Sequence, residues 1–248
     1  PGVWSTPDRV VPKEELEKHP EWFAHHKPTG GHYTFTWGHY TKLGPLIDTG
    51  NQEVVEKYFA PWWRKMSETW NFDYFKIDSQ QNVAGIYRTD KALGGPEGYR
   101  RGLRIAREIV GNEKFINGCE GQILDGIGIL NGSRSAGDSG GYPISWRSIL
   151  SALYLNNIAW YSDPDAAANL WSGKQAARAR ANALARTLTG QAFLTDDLWS
   201  KVPPDIGRVW QQSFPMLDIR PANLYPIDQP LEIYDLRIAK PWGAWDIV

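Results

Sequence analysis

The chain has 248 residues, with 27 basic against 28 acidic side chains and a formal net charge of -1. That balance argues against a nucleic-acid or polyanion binder, which carries a basic surplus, and no apolar run approaches the roughly 20 residues of a membrane span. The single cysteine, Cys119, excludes an intrachain disulfide framework and a multi-cysteine zinc site.

The length suits one (β/α) barrel of about 250 residues, or two small domains. Thirteen tryptophans and 11 tyrosines stand out. They serve either as core filler or as platforms for sugars, whose flat C–H face matches an apolar ring with a polar edge.

In chain order, GVW reads as a short strand at about 2–4. GPLIDTG (44–50) precedes a helical stretch, QEVVEKYFAPWWRKMSETW, which Pro61 is expected to interrupt or restart. FDYFKID (72–78) is aromatic-rich and strand-like. PEGYRRGLRIAREIVG reads as a helix with Pro96 near its start and Gly111 as its stop. Tyr99, Leu103, Ala106 and Val110 share its apolar face, and Arg100, Arg104 and Arg107 share a face that reads as solvated. Strand-like runs follow at KFINGCEG (114–121), GIGILNGSR (126–134), LNNIAWYSD (155–163) and QAFLTDD (191–197). The alanine-rich helix GKQAARARANALARTLTG, closing at Gly190, separates the last two. After Trp199 proline recurs, and LEIYDLRIAKPWGAWDIV reads as two strands around a turn. Residues 1–225 are therefore expected to form a barrel, and 226–248 the start of an all-β module.

Repeated strand–helix–strand order implies a parallel sheet with right-handed crossovers. No glycine-rich phosphate loop follows a strand, which counts against a dinucleotide fold. Several runs end in carboxylates: Asp78, Glu120, Asp163, and Asp196 with Asp197. Carboxylates at strand ends are what a barrel with its site at the C-terminal face requires.

Two constellations carry chemistry. Lys76 and Asp78 are two apart, on one face of a strand. The lysine favours the charged carboxylate, which is then either a nucleophile or half of a structural ion pair. In GSRSAGDSGG, Arg134 and Asp138 stand four apart, either in a glycine-rich surface turn or as a second carboxylate with its cation. Two carboxylates across one pocket are what glycoside hydrolysis needs. GDSGG also occurs in trypsin-like proteases, but the histidines all lie near the N-terminus and the strand–helix alternation is wrong for an all-β protease. His25, His26, His32 and His39 lack the compact spacing of helical metal ligands. Asp163, Asp165, Asp196 and Asp197 offer a weaker candidate set for Mg²⁺ or Ca²⁺.

In order along the chain, these motifs resemble the retaining α-galactosidase (melibiase) clan of glycoside hydrolases. PGVWSTPDRVVPKEELEKHPEW is similar to the segment after the clan's third barrel strand, LIDTGNQEVVEKY to its next stretch, and YFKID to its Y-x-K-x-D nucleophile strand. RSAGD is similar to its R-x-x-x-D acid/base motif, GCEG to its Cys-Glu strand end, WYSDPDA to its N-D-P-D, and LTGQAFLTDDL to its eighth strand. Gly121, where many relatives carry tryptophan, and Ser79-Gln80-Gln81-Asn82 after the nucleophile depart from the pattern.

The resemblance implies a (β/α)8 TIM barrel of which strands three to eight are present, an open and incomplete barrel, followed by the start of a C-terminal all-β domain. It implies a retaining exo-glycoside hydrolase acting on terminal α-galactosides, with Asp78 as nucleophile and Asp138 as acid/base in one pocket. Lys76, Cys119, Glu120, Arg134, Trp4, Asp163 and Asp197 would contact the sugar. No metal or organic cofactor is expected. The partner is an oligosaccharide or glycoside, with neither nucleic acid nor membrane. The alternatives are a non-catalytic carbohydrate-binding barrel, a transglycosylase of raffinose-synthase type, and a metal-assisted lyase. Because the chain begins at Pro1 without methionine or a signal-like segment, it reads as a segment of a longer protein, and the missing targeting signals carry little information. The location is left unknown, with a soluble, secreted or periplasmic protein preferred over a cytoplasmic one.

Overall fold

The computed structural model describes residues 1–26, 45–78, 86–87, 90, 92–119, 124–137, 149–150, 152–165, 176–195, 199–214, 220–223, 235–241 and 243–247. They fall into two compact units, Pro1–Ser133 and Arg134–Val248. The first strands are β1 (Gly2–Ser5), β2 (His25–His26), β3 (Tyr74–Ile77), β4 (Ile86–Tyr87), β5 (Phe115–Gly118), β6 (Gly132–Arg134) and β7 (Tyr161–Asp163). Five of them form a parallel sheet in the order β1-β3-β5-β6-β7, so each strand lies beside the next one in sequence, while β2 and β4 pair antiparallel on their own. The run near 44–48 supplies only an isolated bridge, Ile47 to Phe23.

In the first unit, helix α1 (52–69) begins at Asn51, whose side chain accepts the Glu53 and Val54 N–H groups and so satisfies two orphan donors. The expected break at Pro61 is absent. Instead the helix contains two wide π turns, Val55–Phe59 and Lys65–Thr69. Proline lacks an N–H and its ring crowds the carbonyl one turn back. The first wide turn ends just before Pro61, with the Ala60 N–H reaching back to Val55 O, and Pro61 lies on the exposed side. Buried Val55, Phe59, Trp63 and Ser67 recur every four residues. In a regular α-helix each such step drifts by about 40° around the axis. The wide turns unwind that drift and hold the stripe against the sheet, where Trp63 meets Phe75 at 5.6 Å.

Helix α2 (Gly95–Val110) has Pro96 in its first turn and stops at Gly111, whose φ of 75° is a positive value that glycine adopts without a Cβ clash. Tyr99, Leu103, Ala106 and Val110 are buried as their spacing predicts. The arginine face is more than a solvated surface. Arg100 donates to Asp125 O and Ile127 O, and Arg107 to Gly111 O, Lys114 O, Ile129 O and the Asn131 side chain. These two guanidinium forks collect the carbonyls of the loops around β5 and β6. Gly118 in β5 leaves room for Leu130, whose Cδ1 would sit 2.6 Å from any Cβ there. The packing of Ile129 and Leu130 into the core explains why the strand expected at 126–134 shortens to β6.

In the second unit, helices α3 (Ala176–Thr189) and α4 (Pro204–Gln212) pack through Ala183, Ile206 and the fully buried Trp210. Phe193 and Trp199 meet the Trp210 ring edge-on at 6.0 and 5.0 Å. The C-terminal strands β8 (Arg220–Asn223), β9 (Asp235–Lys240) and β10 (Gly243–Ile247) form an antiparallel sheet with β9 central. Pro221 lies on edge strand β8, beside a register shift, where a missing donor is tolerated. No described helix is long and apolar enough to cross a membrane.

Candidate active site

The site residues of the first unit come from the C-terminal ends of β1, β3 and β5. Along β3, Phe75 and Ile77 are buried in the core that packs on the helices, so Lys76 and Asp78 fall on the opposite face. Trp4 of β1 is in register with Lys76. The Trp4 indole N–H donates to Asp78 Oδ2 at 2.8 Å, while the Asp78 N–H donates to Ser5 O at 2.9 Å. Ser5 is braced in turn by the Trp62 indole N–H on its Oγ, at 3.1 Å. Trp4 is 49% exposed, so the ring that orients the carboxylate also presents apolar surface to solvent.

Cys119 follows β5, is buried, and donates its backbone N–H to Ile77 O at 2.7 Å. Asn117 stands in register with Lys76 and donates to the Tyr74 hydroxyl at 2.8 Å. Trp4, Lys76, Asp78 and Cys119 therefore belong to one end of three adjacent strands. Asn117 is a polar neighbour that the motifs do not single out. Its signal is its place two residues before Cys119, on the same strand face.

In the second unit, Arg134 ends β6 and Asp163 ends β7. Arg134 Nη1 lies 3.3 Å from Asp165 Oδ1, and its Nε donates to Ala136 O at 3.0 Å. Asp163 is buried, and its Oδ1 accepts the Asp165 N–H at 2.8 Å. Arg186 of α3 is fully buried and donates to Asp165 O at 2.9 Å and to Asn182 O at 3.2 Å. Burial pushes the Arg186 guanidinium down to about 10, with Asp165 and then Asp163 pulling the other way. Asn182, Arg186 and Thr189 form a buried polar stripe at helical spacing, the signal by which Arg186 could have been singled out.

Asp138, Glu120 and Asp197 lie outside the described residues, as do Asp196, His32 and His39. Among the described residues, no three His, Cys, Asp or Glu side chains come together as a metal site.

No protein-family model matches the chain. Among solved structures it is similar to TtGalA, an α-galactosidase from Thermus thermophilus in complex with p-nitrophenyl α-D-galactopyranoside. The TM-score is 0.62 at 22% identity, covering 99% of this chain and 51% of that one. A GH27 β-L-arabinopyranosidase from Geobacillus stearothermophilus gives 0.65 at 10% identity, covering 98% and 59%. A GH31 sulfoquinovosidase from E. rectale gives 0.60 at 13% identity, covering 85% and 35%. The chain thus spans about half the length of the α-galactosidase it matches. At these identities the likeness shows the fold: an α/β chain making part of a (β/α) barrel of the kind found in glycosidases.

Proposed function

We propose that this chain carries most of the catalytic barrel of a retaining exo-glycosidase acting on terminal α-galactosides or stereochemically related glycosides. The observation that carries the reading is the Trp4–Asp78 hydrogen bond at the C-terminal end of a parallel strand, within a fold shared with glycosidases. Asp78 attacks the anomeric carbon and forms a covalent glycosyl-enzyme. Asp138 gives its proton to the leaving oxygen, then takes one from the water that releases the sugar. Lys76 and Arg134 supply positive charge beside the two carboxylates. Cys119 and Glu120 read the sugar 2-hydroxyl, and Trp4, Asp163 and Asp197 contact the rest of the ring. Residues 226–248 begin a C-terminal β-domain.

The neighbours' names cover galactosides, arabinopyranosides and a sulfoquinovoside, so the sugar is the part of the proposal that rests most on the sequence motifs. A panel of aryl α- and β-glycosides, given to the full-length protein, tests it. Turnover of the α-galactoside, lost by at least about 10³-fold in Asp78→Asn, is expected from removal of the nucleophile. Asp138→Ala should spare activated aryl substrates, because a good leaving group needs less of the acid's roughly 10²–10⁴-fold contribution. Exclusive turnover of β-D-glycosides, or an Asp78→Asn variant as active as the wild type, would overturn the reading.

A further inference from the structure

After β7 the chain turns through Asp165 at φ 70°, the left-handed region that few residues other than glycine, asparagine and aspartate occupy. Each part of Asp165 is held. Its N–H donates to Asp163 Oδ1 at 2.8 Å, and its carbonyl accepts from Arg186 Nη2 at 2.9 Å. Its carboxylate Oδ1 meets Arg134 Nη1 at 3.3 Å, with the two side chains only 15% and 7% exposed. Arg134 spends its Nε–H on Ala136 O, 3.0 Å away, which braces the turn two residues short of Asp138. A second tie on that turn runs from the Ser135 N–H to Asp163 O at 2.8 Å.

Two buried arginines around one aspartate in a left-handed turn are a poor source of stability, since apolar replacements of such groups are often neutral or better. Such groups are better suited to fixing a geometry. We infer that Asp165, set in place by Arg186, is a positioning residue: it orients Arg134 and, through the Ala136 carbonyl, the segment that delivers the proposed acid/base Asp138. The inference rests on the proposed roles of Asp138 and Arg134 in glycoside hydrolysis. It adds a chain of support, from α3 through the turn after β7 to the end of β6, whose catalytic effect is confined to proton donation.

The test is Asp165→Asn, in which asparagine keeps the left-handed backbone and the side-chain shape but loses the charge. Kinetics are compared on α-galactosides with a dinitrophenyl and with an alkyl leaving group. A misaligned acid should lower kcat/KM on the alkyl glycoside by about 10²-fold and on the dinitrophenyl glycoside by less than about fivefold. Arg186→Lys, which keeps the charge but not the fork, should show the same pattern more weakly. Equal losses on both substrates, or none, would overturn the inference while leaving the glycosidase reading intact. In ¹⁵N-arginine-labelled protein, the Arg134 Nε–H should exchange slowly in the wild type and much faster in Asp165→Asn. An unchanged exchange rate would overturn the clamp. A wild type inactive on every glycoside would remove the glycosidase reading, and with it the catalytic role of Asp165.

Discussion

Tyr99 carries a hydroxyl that is buried with no hydrogen-bond partner among the described residues. Burial pushes its phenol well above the ordinary tyrosine value, and Asp8, Asp125 and Cys119 add to the shift. The folded chain therefore keeps this proton where the unfolded chain releases it, so the associated stability is present below pH ~10 and lost as pH rises beyond it. Arg186 has the opposite sign, because its folded value is depressed, and this contribution is common to wild type and variant. Tyr99→Phe should leave stability at pH 7 unchanged or raise it by about 1 kcal/mol. It should also lose less stability between pH 7 and pH 10.5, as read by urea unfolding at both values. Trp4→Phe keeps an apolar ring beside Asp78 but removes the N–H that fixes the carboxylate. The expected result is a fall in kcat/KM of about 10- to 100-fold on aryl α-galactosides, with the fold intact by circular dichroism.

At the scale of the element, caps and turns carry information that hydrophobic pattern alone does not. Asn51 uses its Oδ1 to cap α1 and its Nδ2 to bond Glu21 O at 3.0 Å. Asn51→Ala loses both and should destabilise by about 1–2 kcal/mol. Asn51→Asp keeps the cap alone and should cost less, which chemical denaturation of the two variants measures. The limits of α2 were legible in the sequence because Pro96 and Gly111 impose backbone angles directly. The continuity of α1 was not, because Pro61 is a local stop signal and the wide turn that accommodates it is a tertiary response to a four-residue stripe. The same asymmetry holds at the candidate site. Lys76 and Asp78 were readable because strand alternation fixes their face. The contact of Asp165 with Arg186, 21 residues away in sequence, depends on how α3 packs, and no short-range pattern encodes that.

For the whole molecule, the sequential strand order sets neighbouring strand ends side by side along a parallel sheet. It was legible from the repeated strand–helix alternation. The exact strand limits were not, since packing at Leu130 and the turns before β6 and β7 trim them. The proposed reaction is carried by two carboxylates and has no metal ion in its stoichiometry. Turnover of aryl α-galactosides should therefore be unchanged, within about 20%, after dialysis against EDTA, whereas a metal-assisted lyase would lose its activity. The wide turns of α1 bear on how a protein of this architecture can change length. Each accommodates one residue more than a regular turn, so a residue can leave there without swinging the rest of the helix off its partner. Deleting exposed Lys57, inside the Val55–Phe59 turn, should convert that turn to a regular one, with Phe59, Trp63 and Ser67 still inward. Deleting exposed Arg104 from regular α2 should instead rotate Ala106 and Val110 out of the core by about 100°. Thermal unfolding of the two deletions should show the smaller drop for Lys57, marking α1 as the place where this outer layer tolerates a gain or loss of sequence.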